Sequence, residues 1–448
     1  MELKRKIRQR LQEWYLHSSK ALLIKGARQV GKTYEIRSML RDNGCNFIEI
    51  NLLEKPEAVR ILQDAVSVEE LIMGLSTMVS APFIKGKTII FIDEVQKYKN
   101  MVTKIKFLVD EGSFRYIMSG SLLGVEITNL ESAPVGYLTT YEMFPLDFEE
   151  FLQITNITED VIHYVKKSLN DRSPVMDVVN DKLLQLYDQY LTVGGMPDAV
   201  VRFAETYHLN EVAQIHSDII KQYKLDFTQY EAEDRKLLLS NIYDLVPAEL
   251  LKQNRRFIIS DLRQGLHFER VQSSFLWLQN AGVILAVYNA TEPKLPLKLN
   301  EKQSLFKLYL SDVGLLTTVY GMSTKARILS RDPGLNAGGL YENAVVCELA
   351  AKGYKPYYYN SNRLGELDFV IEYQGKILPI EVKSGKDYKI HSALTHCLSN
   401  QEFNMDTAFV FANCNISVDG KINYLPVYMA AFMDDNFSQD IFVNCIQF

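Results

Sequence analysis

The sequence predicts an α/β protein with two separate α/β domains, and three observations support this fold class. Up to about residue 150, short apolar runs alternate with helical patterns, which is typical of a parallel sheet with crossover helices. Residues 151–234 instead carry long amphipathic stretches such as DKLLQLYDQYL and few strand patterns. A last α/β pattern runs from about residue 301 to residue 448 and contains two strands with charged residues at alternate positions.

Four regions are predicted along the chain on this basis. They are an α/β domain over 1–150, a helical subdomain over 151–234, a winged-helix-like module over 235–300 and a second α/β domain over 301–448. The winged-helix pattern consists of two short helices, a third helix that ends at Asn280-Ala281-Gly282, and a strand that enters a proline-containing loop. The third helix is a candidate reader of DNA, but winged helices also serve as packing modules.

Composition and charge narrow the class of protein. The 448 residues are 47% apolar, which fills several cores, and the formal net charge of −6 argues against a surface that coats nucleic acid. The five cysteines lie far apart without a C-x-x-C pair, which fits neither a disulfide framework nor a zinc module and favours a reducing compartment. No apolar run reaches membrane-spanning length. We therefore predict a soluble cytoplasmic protein without a membrane partner.

The strongest motif is a phosphate-binding loop. GARQVGKT follows the apolar strand pattern ALLIK and opens a helix, which is the context that the G-x-x-x-x-G-K-T motif requires. Its glycines let backbone N–H groups curl around phosphates, the helix N-terminus adds partial positive charge, and the lysine reaches the β and γ oxygens. The predicted nucleotide-binding residues of this loop are Gly26, Ala27, Arg28, Gln29, Val30, Gly31, Lys32 and Thr33.

An acidic pair supplies the second half of this predicted site. The apolar run in KTIIFIDEVQ leads into Asp93 and Glu94, so that a buried strand delivers both carboxylates at its C-terminal edge. We predict that Asp93 holds Mg²⁺ together with the hydroxyl of Thr33, and that Glu94 polarises the attacking water. A third strand, FRYIM, is followed by Ser119, which is placed to sense the γ-phosphate from a neighbouring strand. Glu94, Lys32 and Ser119 are therefore the predicted catalytic residues.

Six motifs together resemble a known family. They are GARQVGKT, FIDEVQ, the Ser-Gly-Ser strand end, PVGYLTTYEMFPLDFEEFL, VGGMPDAV and KLYLSDVGLL. These motifs resemble the prokaryotic AAA+ superfamily of P-loop ATPases, in the branch whose C-terminal domain of uncharacterised function is related to restriction endonucleases. The resemblance implies ATP as the nucleotide, a winged helix in the middle of the chain and a PD-(D/E)XK-like fold at its end. It also implies a homo-oligomer, because ATPases of this type usually complete their sites between subunits.

One position departs from the pattern of this family. Relatives often have a basic residue after the Val-Gly of the PVG segment, whereas this chain has Tyr137. A positive charge donated to the transferring phosphoryl group is worth several orders of magnitude in rate. The substitutes that the sequence offers are Arg28 within the loop and Arg115 beside the third strand.

The C-terminal region carries the residue types that metal-dependent nucleases use. ELDFVIEY places Glu366 and Asp368 on one face of a strand, and ILPIEVK sets Glu381 and Lys383 on one face of the next. A helix over YENAVVCELAAKG is placed to add Glu342. This is the residue order of the restriction-endonuclease-like superfamily, in which Asp368 and Glu381 are the predicted metal ligands and nucleic acid is the partner. The alternative is a hairpin with an apolar core face and a charged outer face.

The tyrosine-rich run KPYYYNSN has two interpretations as well. Its rings are suited to stacking on the bases of a nucleic acid, and the same run is typical of an edge strand of a sheet.

Three functions are compatible with these observations. The first is an ATPase whose nucleotide state moves the helical and winged-helix regions, while the terminal domain acts on or binds a partner. The second is an ATP-regulated, metal-dependent nuclease for DNA or RNA in DNA processing or defence, with Glu342, Asp368, Glu381 and Lys383 as its cutting residues. The third is a regulatory scaffold that binds ATP with little turnover.

Overall fold

The computed structural model describes residues 3–98, 100–121, 136–229 and 233–434 of the chain. The chain divides into two compact units, the first made of residues 1–145 and 271–284, the second of residues 146–270 and 285–448. The first two residues of the PVG segment and Cys445 lie outside the described residues. The four regions expected from the sequence stay predictions.

The first unit contains a five-stranded parallel sheet. Its strands are β1 Ala21–Lys25, β2 Phe47–Asn51, β3 Ile89–Asp93, β4 Arg115–Gly120 and β5 Leu138–Glu142. The strand order across the sheet is β2-β3-β4-β1-β5. The parallel α/β sheet predicted from the sequence is therefore confirmed, and β4 lies between the two strands that carry the predicted nucleotide site.

Five helices accompany these strands along the first 111 residues. They are α1 Ile7–His17, α2 Lys32–Asp42, α3 Pro56–Asp64, α4 Val68–Ser76 and α5 Met101–Glu111. The sequence expectation of a helix from Lys32 is met, and α4 begins behind Ser67, whose hydroxyl accepts a hydrogen bond from the Glu70 N–H. Apolar side chains of α3, α4 and α5 pack on one face of the sheet and form the core of this unit.

Helices also dominate the chain after residue 146. They are α6 Phe148–Phe151, α7 Glu159–Asp171, α8 Asp177–Val193, α9 Pro197–Thr206, α10 Leu209–Gln229, α11 Glu233–Leu251, α12 Phe268–Asn280, α13 Val313–Tyr320, α14 Met322–Leu329, α15 Gly338–Ala351 and α16 Ser392–Ser399. From Val271 onward, α12 belongs to the first unit. None of the helices in the described ranges combines the length and the apolar composition needed to cross a membrane.

The region predicted to be winged-helix-like differs in detail from the expectation. A single 19-residue helix, α11, replaces the first short helix, and the second is reduced to the 3₁₀ turn Ile259–Asp261. Pro247 does not end α11, because Tyr243, Val246 and Leu250 are buried at helical spacing around it. α12 ends at Asn280 and a strand follows, as predicted.

The second unit contains an eight-stranded mixed sheet. Its strands are β6 Ile284–Ala290, β7 Glu301–Leu310, β8 Tyr357–Ser361, β9 Gly365–Tyr373, β10 Lys376–Lys383, β11 Ala408–Ala412, β12 Ser417–Asp419 and β13 Ile422–Pro426. Their order is β12-β13-β11-β10-β9-β8-β6-β7. β8, β9 and β10 run antiparallel to one another in turn, whereas β11 is parallel to β10. β6 and β7 flank the predicted boundary at residue 301, yet both belong to this one sheet.

Both interpretations of the tyrosine-rich run are wrong. β8 lies inside the sheet between β6 and β9, so it is not an edge strand. Tyr357, Tyr358 and Tyr359 are at most 5% exposed and cannot receive the bases of a nucleic acid. The three rings fill the core because both faces of this strand are covered.

Two of the motifs that carry the family resemblance meet inside the second unit. The N–H of Gly195, in VGGMPDAV, donates to Oδ2 of Asp312, in KLYLSDVGLL, over 2.6 Å. The other oxygen of Asp312 accepts from the N–H of Leu315 over 2.9 Å and thereby caps α13. The carbonyl of Gly195 accepts from the N–H of Leu146 over 2.7 Å. These contacts fix the start of the second unit.

A buried lysine lies beside this junction. The ammonium of Lys325, on α14, donates to the carbonyl of Thr192 and to Oγ1 of Thr317, the latter over 3.0 Å. Burial lowers the pKa of Lys325 to about 7, although the negative charge of Asp312 acts in the opposite direction. Lys325 therefore changes its protonation state near pH 7, far below the range of an ordinary lysine.

Candidate functional site

The phosphate-binding loop begins where β1 ends, and its backbone geometry explains its first glycine. Gly26 has a φ of 145°, and a Cβ at this position would lie 2.2 Å from the carbonyl oxygen of Met143. Met143 follows β5, the neighbour of β1, and its N–H donates to the Lys25 carbonyl over 2.8 Å. Any side chain at position 26 would therefore push the loop off the sheet.

The rest of the loop adopts positive φ angles before it enters α2. Gln29 has a φ of 63° and Gly31 a φ of 95°, and the first N–H groups of α2 point out of its start at Lys32. Such a turn in front of a helix collects backbone N–H groups on its concave side, which suits an anionic phosphate.

Lys32 is buried within the curl of its own loop. Its ammonium donates to the carbonyl of Gly26 over 2.9 Å and to that of Ala27 over 2.7 Å. Burial lowers its pKa to about 8, the carboxylates of Glu94 and Asp93 oppose this shift, and the charge of Arg28 adds to it. The ammonium of Lys32 therefore lies within the predicted phosphate-binding loop.

The acidic tip of β3 meets the loop through Asp93. The hydroxyl of Thr33 donates to Oδ2 of Asp93 over 3.0 Å. The hydroxyl of Ser119, at the end of β4, donates to Oδ1 of the same carboxylate, which also accepts from the N–H of Glu94 over 3.0 Å. Thr33, Asp93 and Ser119 are thus brought together as predicted, with the difference that Ser119 contacts Asp93.

Glu94 follows Asp93 in a left-handed conformation with a φ of 56°. Its carboxylate accepts a hydrogen bond from the amide of Gln96, which is almost completely buried. Asn51, at the end of β2, lies 3.5 Å from Oδ2 of Asp93 and is therefore at the limit of a hydrogen bond. No role was predicted from the sequence for Gln96 or Asn51.

Comparison with protein families describes the part of the chain that contains this site. Residues 18–152 match the family model of an AAA domain. Within this AAA domain, the loop, the acidic strand tip and Ser119 are all included, which supports a P-loop ATPase. Two domains of unknown function match elsewhere, DUF8612 over residues 184–326 and DUF4143 over residues 337–429. No curated protein matches the chain.

Three solved structures show a distant likeness. A Walker-type ATPase of Pyrococcus abyssi is 16% identical with a TM-score of 0.42, over 71% of this chain and 96% of that chain. Cdc6p from Pyrobaculum aerophilum is 11% identical with a TM-score of 0.26, over 73% and 96%. RuvB T158V of Thermotoga maritima is 13% identical with a TM-score of 0.29, over 66% and 91%. At these scores the neighbours do not bear on what this chain does.

Two arginines from the N-terminal segment support the loop of the AAA domain from behind. Arg5 donates to the carbonyl of Val30 over 3.0 Å and to that of Phe144 over 2.7 Å. Arg8 binds Glu35, on α2, over 2.9 Å. Sequence reasoning missed this role, because a short basic run has the same appearance whether it faces solvent or packs against a loop.

Arg28 and Arg115 are the predicted substitutes for the positive charge that Tyr137 does not supply. Arg115 is the first residue of β4, whereas Ser119 lies near the other end of the same strand. The guanidinium of Arg115 donates to the carbonyls of Trp14, Tyr15 and Ser18. Its interpretation as a substitute is therefore wrong. The carbonyl of Tyr137 accepts from the N–H of Ala21 over 3.0 Å.

A turn distant in sequence contacts the same loop. Gly282, with a φ of 74°, follows α12, and a Cβ at this position would lie 2.8 Å from the backbone nitrogen of Ala27. The second residue of the predicted phosphate-binding loop and the turn that follows α12 are therefore packed closely against each other. The sequence offers no signal for this contact, since Asn280-Ala281-Gly282 has the composition of any helix end.

The C-terminal carboxylates converge in the second unit, but not on an outer face. Glu342, on α15, and Glu381, on β10, are buried. Oδ2 of Asp368, on β9, accepts from the N–H of Val382 over 2.9 Å. The alternative of a hairpin with a solvent-exposed charged face is therefore wrong, because Glu381 is buried on that hairpin and α15 brings the buried Glu342 to the same cluster.

Positive side chains lie among these carboxylates. The ammonium of Lys307, on β7, is completely buried at 2.8 Å from Oε1 of Glu366 and 3.8 Å from Oε2 of Glu342. Arg255 binds the other oxygen of Glu342, and the hydroxyl of Tyr309 donates to Oε2 over 2.9 Å. None of these three donors was predicted, because FKLYL reads as an apolar strand and Arg255 lies in a different part of the sequence.

Two more cations, Lys383 and Arg256, are paired with carboxylates of this region. Lys383 lies 2.9 Å from Oε2 of Glu381, so this predicted pair is present. Arg256 lies 3.0 Å from Oε2 of Glu366, which also accepts from the amide of Asn360 over 2.7 Å.

The pKa values of these groups follow from burial and from their neighbours. Burial alone would raise the pKa of Asp368, but the charges of Lys307 and Arg255 outweigh it and lower this pKa. Burial and the charge of Asp368 raise the pKa of Glu342 and that of Glu381. Asp368 is therefore ionised, whereas Glu342 and Glu381 are weaker acids than an ordinary glutamate.

The donor set of this cluster does not fit a divalent metal ion. Within the described ranges, no group of three or more His, Cys, Asp or Glu side chains is arranged to hold a metal. The predicted ligands Asp368 and Glu381 are instead bound by a backbone N–H and by Lys383. In the loop site of the AAA domain, by contrast, a hydroxyl and a carboxylate suit Mg²⁺, which takes its other ligands from phosphates and water.

A cavity of about 500 Å³ opens elsewhere in the second unit. Its charged lining includes Arg327, paired with Asp332 over 2.6 Å, and Arg331, paired with Asp188 over 2.6 Å. Lys386 also lines it. Since two of its three cations are already neutralised, its chemistry does not define an anionic ligand.

Proposed function

We propose that the AAA domain binds ATP with Mg²⁺ and hydrolyses it. The observation that carries this proposal is the meeting of Thr33 and Asp93 at 3.0 Å beside the buried ammonium of Lys32. A hydroxyl, a carboxylate and a lysine in this arrangement match the needs of a magnesium-bound triphosphate.

The backbone and the lysine of the loop bind and orient the nucleotide. N–H groups between Gly26 and Thr33 donate to phosphate oxygens, and Lys32 exchanges its two carbonyl acceptors for the β and γ oxygens. Thr33 and Asp93 would hold Mg²⁺, which would supply positive charge against the transferring phosphoryl group.

Glu94 orients and polarises the attacking water. Its contact with Gln96 holds the carboxylate at the tip of β3, next to Asp93. Ser119 acts through Asp93, because its hydroxyl donates to that carboxylate.

We also assign to the contact between Ala27 and Gly282 the role of transmitting the nucleotide state to α12 and the winged-helix-like region.

Phosphate release measures this activity directly. Wild-type protein, Glu94→Gln and Lys32→Ala are incubated with ATP and Mg²⁺, and released phosphate is followed with time. We expect Glu94→Gln to retain nucleotide binding while its rate falls at least about 100-fold, since the polarising base is lost. Binding without release in the wild type would instead favour the regulatory scaffold.

The absence of a basic side chain at position 137, where this chain has Tyr137, supports assembly with a second copy of the chain. Of the two substitutes that the sequence offers, Arg115 is held at the far end of β4, so we assign the positive charge to Arg28 or to another subunit. Sedimentation with and without ATP and Mg²⁺ tests this, because a chain that hydrolyses ATP as a monomer needs no such donor.

A metal-dependent nuclease is the second candidate function, although the donor set of the cluster does not fit a divalent metal ion. It is supported by Asp368 and Glu381 on neighbouring antiparallel strands, with Lys383 paired to Glu381. The proposal of a restriction-endonuclease-like domain and of a nucleic-acid partner rests on this hairpin. Plasmid and single-stranded substrates with Mg²⁺ or Mn²⁺ test it, and cutting that survives in Asp368→Ala removes the assignment.

A further inference from the structure

The second unit places positive charges where a nuclease would hold its metal. We propose that Arg255 and Lys307 are the resident cations of the carboxylate cluster formed by Glu342, Glu366 and Asp368, and that they stand in place of a divalent metal ion. Lys307 lies 2.8 Å from Glu366, and Arg255 is bound to Glu342. This inference goes beyond ATP hydrolysis and does not depend on it.

Lys307 is built into the cluster by its strand. A period of two along β7 puts Lys307 and Tyr309 on the same face, and both lie against Glu342, at 3.8 Å and 2.9 Å. Phe306 and Leu308, on the other face, are buried in apolar surroundings. A fully buried ammonium without acidic neighbours is strongly unfavourable, so the strand and the carboxylates are tied to each other.

Arg255 reaches the cluster from a different part of the chain. It follows α11 and has the left-handed φ of 48°, a conformation that a non-glycine residue keeps only when its surroundings hold it. Gly338, at the start of α15, leaves room for it, since a Cβ there would lie 2.2 Å from Nη2 of Arg255. The backbone of α15 therefore accommodates this guanidinium over Glu342.

These contacts use the oxygens that a metal would need. Both oxygens of Glu342 are engaged by Arg255 and Tyr309, and Oδ2 of Asp368 accepts the N–H of Val382. Mg²⁺ and Mn²⁺ require several oxygen ligands at close range, and two positive side chains in the same space repel them. The wild-type cluster therefore does not take a divalent ion while Arg255 and Lys307 are in place.

Titration with Mn²⁺ tests the inference on the nucleotide-free full chain. Free Mn²⁺ is counted by electron paramagnetic resonance for the wild type, Arg255→Ala, the double variant Arg255→Ala/Lys307→Met, and Gly338→Ala, which displaces Arg255 without removing a charge. Each is compared with the same protein carrying Asp368→Asn. Arg256→Ala is the matched control, because it removes a positive charge one residue away that contacts only Glu366 in the cluster.

The proposal predicts different Mn²⁺ binding by the wild type and by these variants. We expect no Asp368-dependent Mn²⁺ site in the wild type or in Arg256→Ala, and a gain of at least about tenfold in affinity in the double variant that Asp368→Asn abolishes. Wild-type binding that Asp368→Asn removes would overturn the proposal. So would an equal gain in Arg256→Ala, or a folded double variant with no gain. If the double variant does not fold, the wild type and Gly338→Ala decide by the same comparison.

Discussion

The hydroxyl of Thr33 lies 3.0 Å from Oδ2 of Asp93, although the two residues are 60 positions apart in the chain. This hydrogen bond joins the first turn of α2 to the tip of β3. The ligands expected for Mg²⁺ are therefore already neighbours in the fold itself, and little reorganisation is needed when nucleotide arrives.

Ser119→Ala tests the role of the hydroxyl that binds Asp93. The substitution removes one hydrogen bond to a charged carboxylate, which we expect to lower kcat about tenfold or more with little change in KM. Steady-state phosphate release provides both constants. Ser121→Ala is the control, because the buried hydroxyl of Ser121 has no hydrogen-bond partner among the described residues. Equal effects in the two variants would remove the assigned role of Ser119.

Gly282→Ala tests the backbone contact between the phosphate-binding loop and the end of α12. A methyl group 2.8 Å from the nitrogen of Ala27 must displace the loop, so we expect the affinity for ATP to fall about tenfold. The control Gly265→Ala carries the same positive φ of 74°, but a Cβ there meets nothing within 4 Å. Unchanged binding by a folded Gly282→Ala protein would mean that the loop does not depend on this turn.

Gly195→Ala tests the junction at the start of the second unit. A Cβ at this position would lie 2.0 Å from the carbonyl oxygen of Leu146, so we expect a loss of about 3 kcal/mol or more in the free energy of unfolding. Denaturant unfolding measures it. Gly385→Ala, where a Cβ meets nothing within 4 Å, should differ little from the wild type. A similar midpoint for both variants would contradict the tight packing of this junction.

Lys325 makes the stability of the second unit depend on pH. Its pKa is about 7 in the folded protein and 10.5 for an ordinary lysine, so the unfolded chain binds an extra proton between these values. The free energy of unfolding therefore rises with pH from about 7 upward, by at most about 1.4 kcal/mol per pH unit from this group.

Lys325→Met isolates that contribution. Denaturant unfolding at pH 7.0, 7.5, 8.0 and 8.5 should show a shallower rise in the variant than in the wild type, whatever the absolute cost of the lost hydrogen bonds to Thr192 and Thr317. The difference between the two slopes is the quantity of interest. Parallel slopes would mean that Lys325 keeps an ordinary pKa in the folded state.

The AAA domain was predictable because its signals are local. GARQVGKT and FIDEVQ each specify a strand, a turn and a chemical role within ten residues, and the fold brings Thr33 and Asp93 into hydrogen-bond contact. Continuous apolar runs likewise predicted β1 and β3. Such elements need no knowledge of distant contacts.

The carboxylate cluster was predicted only in part, because its cations come from distant segments. The hairpin of β9 and β10 placed Asp368, Glu381 and Lys383 correctly. The sequence around Arg255 and Lys307 does not predict that either residue contacts a carboxylate. The pattern FKLYL does not show that its lysine is buried. The contact of Gly282 with Ala27 was hidden for the same reason.

The central claim is that the AAA domain binds a magnesium-bound adenine nucleotide in the loop around Lys32. Isothermal titration calorimetry of purified, folded protein with ATP and Mg²⁺ tests it most directly, with Lys32→Ala measured beside the wild type. We predict heat that fits one site per chain in the wild type and a loss of that heat in Lys32→Ala. Absence of heat in the wild type, or equal binding by the two proteins, would contradict the account.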